Sequence, residues 1–265
     1  RPATEGRNTV LVVGAGLTGI ETAAEMPTRL RKIFGKERFR VLLADHKSRI
    51  GADMGEDACP VIAEALGSLG VETRPGSGIA SIDGSGAELQ SGERIAAETV
   101  IWCAGLEASP LTGLIPAERD WLGRLPIDRF LRVNGVPHLF AAGDSARLPL
   151  SGGHDSVMSC QHSRPMGRFA GHNAVRDLLG LPLLGLQIDW YVTVLDLGEW
   201  GALYTEGWER RVAATGGAAK KTKMTINRER IYPPLTGNPS EILAAAAPVV
   251  QTAPQRDLST PRRLS

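Results

Sequence analysis

Cysteine is scarce in this chain, and neither sign of charge is in excess. The three cysteines, Cys59, Cys103 and Cys160, lie in separate segments without a C-x-x-C pair. They therefore predict neither a disulfide framework nor a zinc site, and we expect no metal. Small buried thiols of this kind are typical of a reducing compartment, so we expect a cytoplasmic location. The formal net charge of +1 gives no bulk electrostatic reason to expect nucleic acid as a partner.

The sequence also lacks a long uninterrupted apolar run. The longest such stretch near its end, residues 242–250, is about half as long as a membrane span requires, and it contains Pro248. We therefore expect any membrane contact to be peripheral, on the cytoplasmic face. A basic cluster either attracts anionic headgroups or is simply a solvated surface. Its members are Lys220, Lys221, Lys223, Arg228 and Arg230.

The most informative motif lies near the start, where a Thr-Val-Leu-Val-Val run precedes glycines in the spacing G-x-G-x-x-G. An apolar strand before these glycines and a helix after them are typical of a dinucleotide site. Gly14 permits the tight turn, Gly16 lets the backbone approach a pyrophosphate, and Gly19 lets the helix pack closely on the strand. The first helical N–H groups, around Leu17 and Thr18, are predicted to bind the phosphates.

An acidic residue ends the second predicted strand, residues 39–44. Asp45 lies where this fold places a carboxylate against the adenosine ribose hydroxyls, with His46 beside it. A 2′-phosphate would meet this charge at a cost of roughly 4 kcal/mol, for a separation of about 4 Å and an effective dielectric of about 20. NADH is therefore favoured over NADPH. The basic side chains of His46, Lys47 and Arg49 either reach toward a phosphate or form a solvated turn.

Two further positions near the motif are predicted to contact the nucleotide. Glu21, two residues past the last glycine, interacts favourably with the helix dipole, and its carboxylate could also bond the ribose or nicotinamide, so we assign it a cofactor-binding and catalytic role. Ala104 and Gly105 follow the predicted strand 99–102. They lie at the carboxyl edge of the sheet, where open α/β folds bind ligands.

A second candidate cofactor site follows an apolar stretch, residues 139–142, that ends in Gly143 and Asp144. A carboxylate at the carboxyl edge of a sheet can accept hydrogen bonds from the ribityl hydroxyls of a flavin. Gly-Asp is also an ordinary turn. Its position some 130 residues after a G-x-G-x-x-G makes the flavin interpretation more specific.

The pattern of elements predicts an α/β protein. A Rossmann-like NAD-binding domain is expected at residues 1–112, with a short antiparallel meander at residues 78–97 in place of a third crossover helix. Residues 113–185 are expected to form the C-terminal part of a FAD-binding domain. Residues 186–240 are expected to form strands and a basic helix, and residues 241–265 a disordered tail.

Together these motifs resemble the flavoprotein reductases with two dinucleotide-binding domains, and more narrowly the type II NADH dehydrogenases (NADH:quinone oxidoreductases). The resemblance covers nearly all of residues 8–235 and rests on residues 14–21, 100–105, 139–146, 160–173 and 191–207. It implies that the NAD domain is inserted into the FAD domain and that hydride passes from NADH through FAD to an acceptor. It also implies that Gln161 lies near the flavin ring and the quinone, as a cofactor-binding and catalytic residue.

Two departures from the family pattern leave alternatives open. We expect the flavin-adenine fingerprint of the family to belong upstream of Arg1, so this chain carries only the later part of a FAD site. The second glutamine of the quinone motif is replaced by Pro165. The alternatives are an NAD(H)-binding module without turnover and a reductase of a soluble acceptor. His162 is a further candidate proton donor, and a homodimer is a possible assembly.

Overall fold

The computed structural model describes residues 6–35 and 37–254. The α-helices are α1 (Leu17–Phe34), α2 (Ala58–Leu69), α3 (Cys160–Leu178), α4 (Gly216–Thr225) and α5 (Pro239–Ala245). The strands are β1 (Thr9–Val13), β2 (Arg40–Ala44), β3 (Val71–Arg74), β4 (Ile79–Asp83), β5 (Gly86–Leu89), β6 (Arg94–Ala96), β7 (Thr99–Trp102), β8 (Leu125–Pro126), β9 (Ala146–Arg147), β10 (Val192–Asp196), β11 (Ala202–Glu206) and β12 (Arg211–Thr215).

The described residues form two compact units. The first contains the residues up to Gly105 together with Tyr191–Ile226 and Pro254, and the second contains Leu106–Trp190 and Asn227–Ala253. This division differs from the predicted boundaries at residues 112 and 185. The segment after Trp190, which the sequence assigns to a separate region, packs with the Rossmann-like part of the chain.

The first unit is built on a parallel sheet in the order β3-β2-β1-β7. Every residue of β1 is buried, because a central parallel strand is covered on both faces and so reads as a continuous apolar run. On one face, α1 and α2 pack with Leu195 and Leu203 of a second, antiparallel sheet, β10-β11-β12. On the other face lies the β4-β5-β6 meander, with Ala87 and Ile95 in its core. The predicted meander is therefore present.

The second unit has little regular sheet and is held by its own apolar core. Met166 and Phe169 of α3 pack there with Leu125, Leu131 and Leu148. The short strands β8 and β9 pair in parallel. Asn173 of α3 binds the backbone of two neighbouring segments by accepting from the N–H of Leu184 and donating to the carbonyl of Phe130.

The predicted strand at residues 139–142 is wrong as a regular element. Only a bridge between Phe140 and Arg132 forms there. The paired segment contains Leu131 at φ 67°, a left-handed backbone that departs from the extended conformation of a strand. Residues 241–254, predicted to be part of a disordered tail, include the end of α5 and Val250, which packs on the core. The remainder of that tail lies outside the described residues.

Candidate functional site

The glycine-rich loop between β1 and α1 contains glycines under two different constraints. Gly14 has φ +98°, and a Cβ there would lie 2.7 Å from the carbonyl oxygen of Cys103 and 2.8 Å from Ala104. A Cβ at Gly19 would lie 1.7 Å from the carbonyl oxygen of Gly14. A Cβ at Gly16 would meet nothing within 4 Å. Protein packing therefore explains the first and third glycines, whereas the second faces open space that a ligand can fill.

The start of α1 offers unshared hydrogen-bond donors beside this open space. Gly16 is its N-cap residue and provides no side-chain cap, and its first turn contains no acidic residue. Leu17 and Thr18 are exposed. Because the first N–H groups of a helix lack intrahelical acceptors, they carry partial positive charge suited to phosphate oxygens. The residues present at this loop fit the pyrophosphate of a dinucleotide.

Asp45 is buried at the end of β2, with 8% of its surface exposed. Its Oδ2 accepts a hydrogen bond from the Ala15 N–H at 2.6 Å, and its Oδ1 accepts one from the Lys47 N–H at 2.8 Å. The carboxylate therefore holds the glycine-rich loop and the loop after β2 at the same time. His46 lies beside it, with Nδ1 3.6 Å from Oδ1. The structure therefore brings Asp45, the predicted ribose contact, into contact with the glycine-rich loop, which is predicted to bind the phosphates.

The basic residues after Asp45 are occupied by carboxylates. Lys47 Nζ binds Asp53. Arg49 makes two hydrogen bonds to Glu56, and the pKa of the Glu56 carboxyl is lowered, chiefly because it accepts these bonds. The structure thus holds the side chains of Lys47 and Arg49 in ion pairs within the loop.

Glu21 lies on α1 and is bound by the C-terminal part of the first unit. Its Oε1 accepts from the Asp196 N–H at 2.8 Å and from Lys223 Nζ at 2.7 Å, and Lys223 also donates to the carbonyl of Val194. Lys220 binds Asp196 in turn. Two lysines of the predicted basic cluster are therefore partnered by carboxylates, and sequence reasoning missed both pairs because the partners lie far apart in the chain.

The carboxyl end of β7 lies against the glycine-rich loop. Ala104 is close to Gly14, and the N–H of Gly105 donates to the carbonyl of Cys103. Gly105 has φ +98°, and no atom lies within 4 Å of the Cβ position there. Trp102, just before this turn, is 59% exposed. This edge therefore contacts the glycine-rich loop at Gly14, and Gly105 leaves open space beside its own backbone.

In the second unit, Gly143 and Asp144 begin a short helical turn that packs against α3. Gly143 has φ +70°, and Asp144 Oδ1 accepts from the Ser163 hydroxyl at 3.0 Å. The Oγ of Ser159, the N-cap residue of α3, is buried and has no hydrogen-bond partner among the described residues. An available carboxylate, an orphaned hydroxyl and a helix start fit the polar part of a flavin cofactor.

Gln161 and His162 follow in the first turn of α3. The Gln161 amide nitrogen lies 3.4 Å from His162 Nε2 and 3.4 Å from the carbonyl of Trp190. His162 is fully buried, and burial lowers the pKa of its imidazole to about 4. Its Nδ1 accepts the Val157 N–H at 2.8 Å. The neutral ring therefore carries its proton on Nε2, which does not hydrogen-bond to the Gln161 amide nitrogen because both are donors, and the ring is poorly suited to take up a further proton.

Residues 6–35 and 37–254 contain neither a cluster of metal ligands nor a membrane-spanning helix. No three His, Cys, Asp or Glu side chains are grouped so as to hold a metal ion. Within the same residues, none of the helices combines the length and apolar character needed to cross a bilayer.

The fold and the glycine-rich loop define a Rossmann-like class of FAD/NAD-binding fold, and comparison with known proteins identifies the family. A model of the pyridine nucleotide-disulphide oxidoreductases matches residues 2–167. The chain therefore belongs to the pyridine nucleotide-disulphide oxidoreductase family, as its motifs predict.

Individual relatives show which members of this family the chain is similar to. A NADH dehydrogenase-like protein of Mycobacterium tuberculosis is 57% identical over 256 residues, which cover 96% of this chain and 64% of that protein. A type II NADH:quinone oxidoreductase of the same species is 32% identical, over 55% of this chain and 34% of that protein. A Synechocystis demethylphylloquinone reductase is 26% identical, over 75% of this chain and 47% of that protein. The predicted resemblance to type II NADH dehydrogenases is confirmed, and the chain spans about two thirds of the length of the first of these relatives.

A solved structure supports the fold alone. The reduced Bacillus anthracis CoADR-RHD matches with a TM-score of 0.58 at 16% identity, over 76% of this chain and 34% of that one.

Proposed function

We propose that this chain is the NADH-binding and partial FAD-binding part of a flavin-dependent NADH:acceptor oxidoreductase of the type II NADH dehydrogenase kind. The observation that carries the proposal is the contrast within the glycine-rich loop: Gly14 and Gly19 are enforced by packing, whereas Gly16 faces open space. In a G-x-G-x-x-G loop between a strand and a helix, a second glycine that packing does not require fits the close approach of a pyrophosphate.

Five predicted site residues of the first unit then have a role toward NADH. The N–H groups of Leu17 and Thr18 bind the pyrophosphate, and Ala104 and Gly105 line the path toward the nicotinamide. Asp45 accepts hydrogen bonds from the adenosine ribose, while it keeps the loop in place through Ala15. A 2′-phosphate is disfavoured, because Asp45 is buried and Lys47 and Arg49 are paired.

In the second unit, Gly143, Asp144 and Gln161 would hold FAD. The flavin, when bound, supplies hydride acceptance and onward electron transfer. Asp144 would bind ribityl hydroxyls, and the buried Ser159 hydroxyl supplies a further polar contact. Gln161 would lie beside the flavin ring, next to neutral His162.

We propose a quinone as the acceptor, because relatives at 32% and 26% identity carry quinone reductase names. A soluble acceptor is the second candidate. The residue four positions after Gln161 is Pro165, which is buried within α3 and has no polar group to offer a quinone oxygen. A cytoplasmic location with peripheral membrane contact, and a homodimer, stay predictions.

The experiment compares Gly16→Val with Gly67→Val, its matched control. Neither Cβ would meet protein atoms within 4 Å, and Gly67 lies in α2, away from the loop. Each protein is incubated with FAD, freed of excess flavin, and titrated anaerobically with NADH while the flavin absorption is recorded. We expect wild type and the Gly67→Val control to retain flavin that bleaches.

Gly16→Val should retain flavin and keep its melting temperature, but should need at least about tenfold more NADH, the equivalent of one charge-assisted hydrogen bond. Equal NADH dependence in both variants would contradict the assignment of the loop. A wild-type chain that retains no flavin would show that the part of the FAD site present here does not suffice by itself, and would leave this chain as an NAD(H)-binding module.

A further inference from the structure

Two segments of the first unit meet close to the predicted adenosine end of the nucleotide site. One is the loop after β2, residues 46–55, and the other is the turn between β11 and β12, residues 207–210. A Cβ at Gly55 (φ +94°) would lie 3.1 Å from the carbonyl oxygen of Glu209 and 3.2 Å from Arg210 Cβ. This close approach means that the turn restrains the loop.

Arg210 makes most of the contact through its guanidinium. Nη1 donates to the carbonyl of Asp53 and lies 3.3 Å from Met54 Sδ. Nη2 donates to the Tyr191 hydroxyl at 2.9 Å, and the guanidinium lies 5.6 Å from the centre of that ring. Tyr191 itself stacks on Trp208, with ring centres 4.2 Å apart. The aromatic pair thus positions the Arg210 guanidinium, which holds the loop after β2.

The backbone of Arg210 shows that this arrangement has a cost. Its φ is +51°, in the left-handed region where a long side chain is uncommon. Such a conformation persists only where the surroundings determine it, and it occurs preferentially at functional sites. The contacts to Asp53 and Tyr191 are the surroundings that offset this strain.

The restrained loop carries Lys47, two residues after Asp45. The backbone of Lys47 binds Asp45 Oδ1, and its ammonium binds the side chain of Asp53. Asp53 is therefore held from two sides, by Lys47 at its carboxylate and by Arg210 at its carbonyl. If this arrangement loosened, the Lys47 ammonium could turn toward a phosphate on the adenosine ribose. Arg49 would stay occupied by Glu56.

We propose that Arg210 is a positioning residue that sets the preference for NADH over NADPH. It fixes the loop so that Lys47 remains on Asp53 and away from a 2′-phosphate. The inference rests on the proposed function, because it requires nucleotide binding at Asp45. It assigns a specificity role to a residue some 165 positions away from Asp45 in the sequence.

The test measures the ratio of the NADPH and NADH dissociation constants by titration of the full chain. Arg210→Asn removes the guanidinium and suits a positive φ. Arg211→Asn makes the same change at the next residue, whose side chain is exposed. We expect the ratio to fall about threefold to fivefold in Arg210→Asn, the size typical of an exposed ion pair, and to stay at the wild-type value in Arg211→Asn.

Two further variants test whether Lys47 is the cation that reaches the 2′-phosphate when the loop is released. Asp53→Asn removes the partner of Lys47 but keeps the carbonyl that Arg210 binds, and it should lower the ratio as Arg210→Asn does. Adding Lys47→Ala to Arg210→Asn should restore the discrimination. An unchanged ratio in Arg210→Asn, or no restoration by Lys47→Ala, would overturn the role of Arg210. A wild-type chain that binds neither nucleotide would instead overturn the proposed function, and this inference with it.

Discussion

At the scale of single residues, Asp45 combines two tasks that the sequence suggests only in part. Its position after β2 predicts contact with the ribose, but the structure also shows it accepting the N–H groups of Ala15 and Lys47. Because the same carboxylate orients the glycine-rich loop, its loss would affect both ends of the nucleotide site. The side chain is best understood as part of a preorganised site rather than as an isolated ribose contact.

His162 leads to a prediction on pH dependence. The pKa of its imidazole is about 4 in the folded protein, against about 6.5 in an unfolded chain. The unfolded state therefore binds more protons between these values, so stability is full above about pH 6.5 and is lost as the pH falls toward 4. We expect this residue to cost about 2 kcal/mol of unfolding free energy between pH 7.5 and pH 5.

The measurement is urea unfolding at several pH values. His162→Gln should remove this part of the pH dependence, whereas His172→Gln, at an exposed position of the same helix, should keep the wild-type slope. An identical slope in all three proteins would show that His162 is not the titrating group.

At the scale of elements, the sequence predicts best where one strong local pattern determines the position of a helix or strand. The buried run of β1, the glycine at the end of α2 and the turn residues of the meander place these elements within a few positions. The sequence predicts least where pairing between distant segments determines whether a strand forms. The bounds of β12 do not follow from a local pattern, because its five residues form a strand by pairing with β11. Residues 139–142 have apolar composition but find only a bridge.

The ion pair between Glu21 and Lys223 leads to a prediction about how α4 is attached to α1. We expect Glu21→Gln and Lys223→Met each to destabilise the chain, and the double variant to lose less than the sum of the two. The coupling free energy should be about 1 kcal/mol, since both side chains are partly exposed, at 31% and 17%.

Denaturant unfolding of the four proteins in this cycle gives that coupling. Additive losses would mean that the pair does not join the two helices. NADH affinity measured on the same proteins then tests the predicted role of Glu21 in cofactor binding separately from its structural one.

At the scale of the whole molecule, the sequence predicts those parts of the candidate site that are contiguous. Gly14, Gly16, Gly19 and Asp45 follow from local patterns, because strand, turn and helix are coded by neighbouring residues. Lys223, Arg210 and Ser159 could not be predicted, because their roles depend on packing between distant segments. A Tyr, Trp and Arg grouped within twenty residues of a turn is the only signal that could have drawn attention to Arg210.

The most direct test of the central claim, that the first unit is an NADH site, is a titration of the purified 265-residue chain with NADH and NADPH in parallel. We predict saturable binding of NADH and at least about tenfold weaker binding of NADPH, as expected when a 2′-phosphate lies beside the Asp45 carboxylate. Equal affinities would contradict the placement of the ribose at Asp45. No binding of either nucleotide would contradict the assignment of the glycine-rich loop itself.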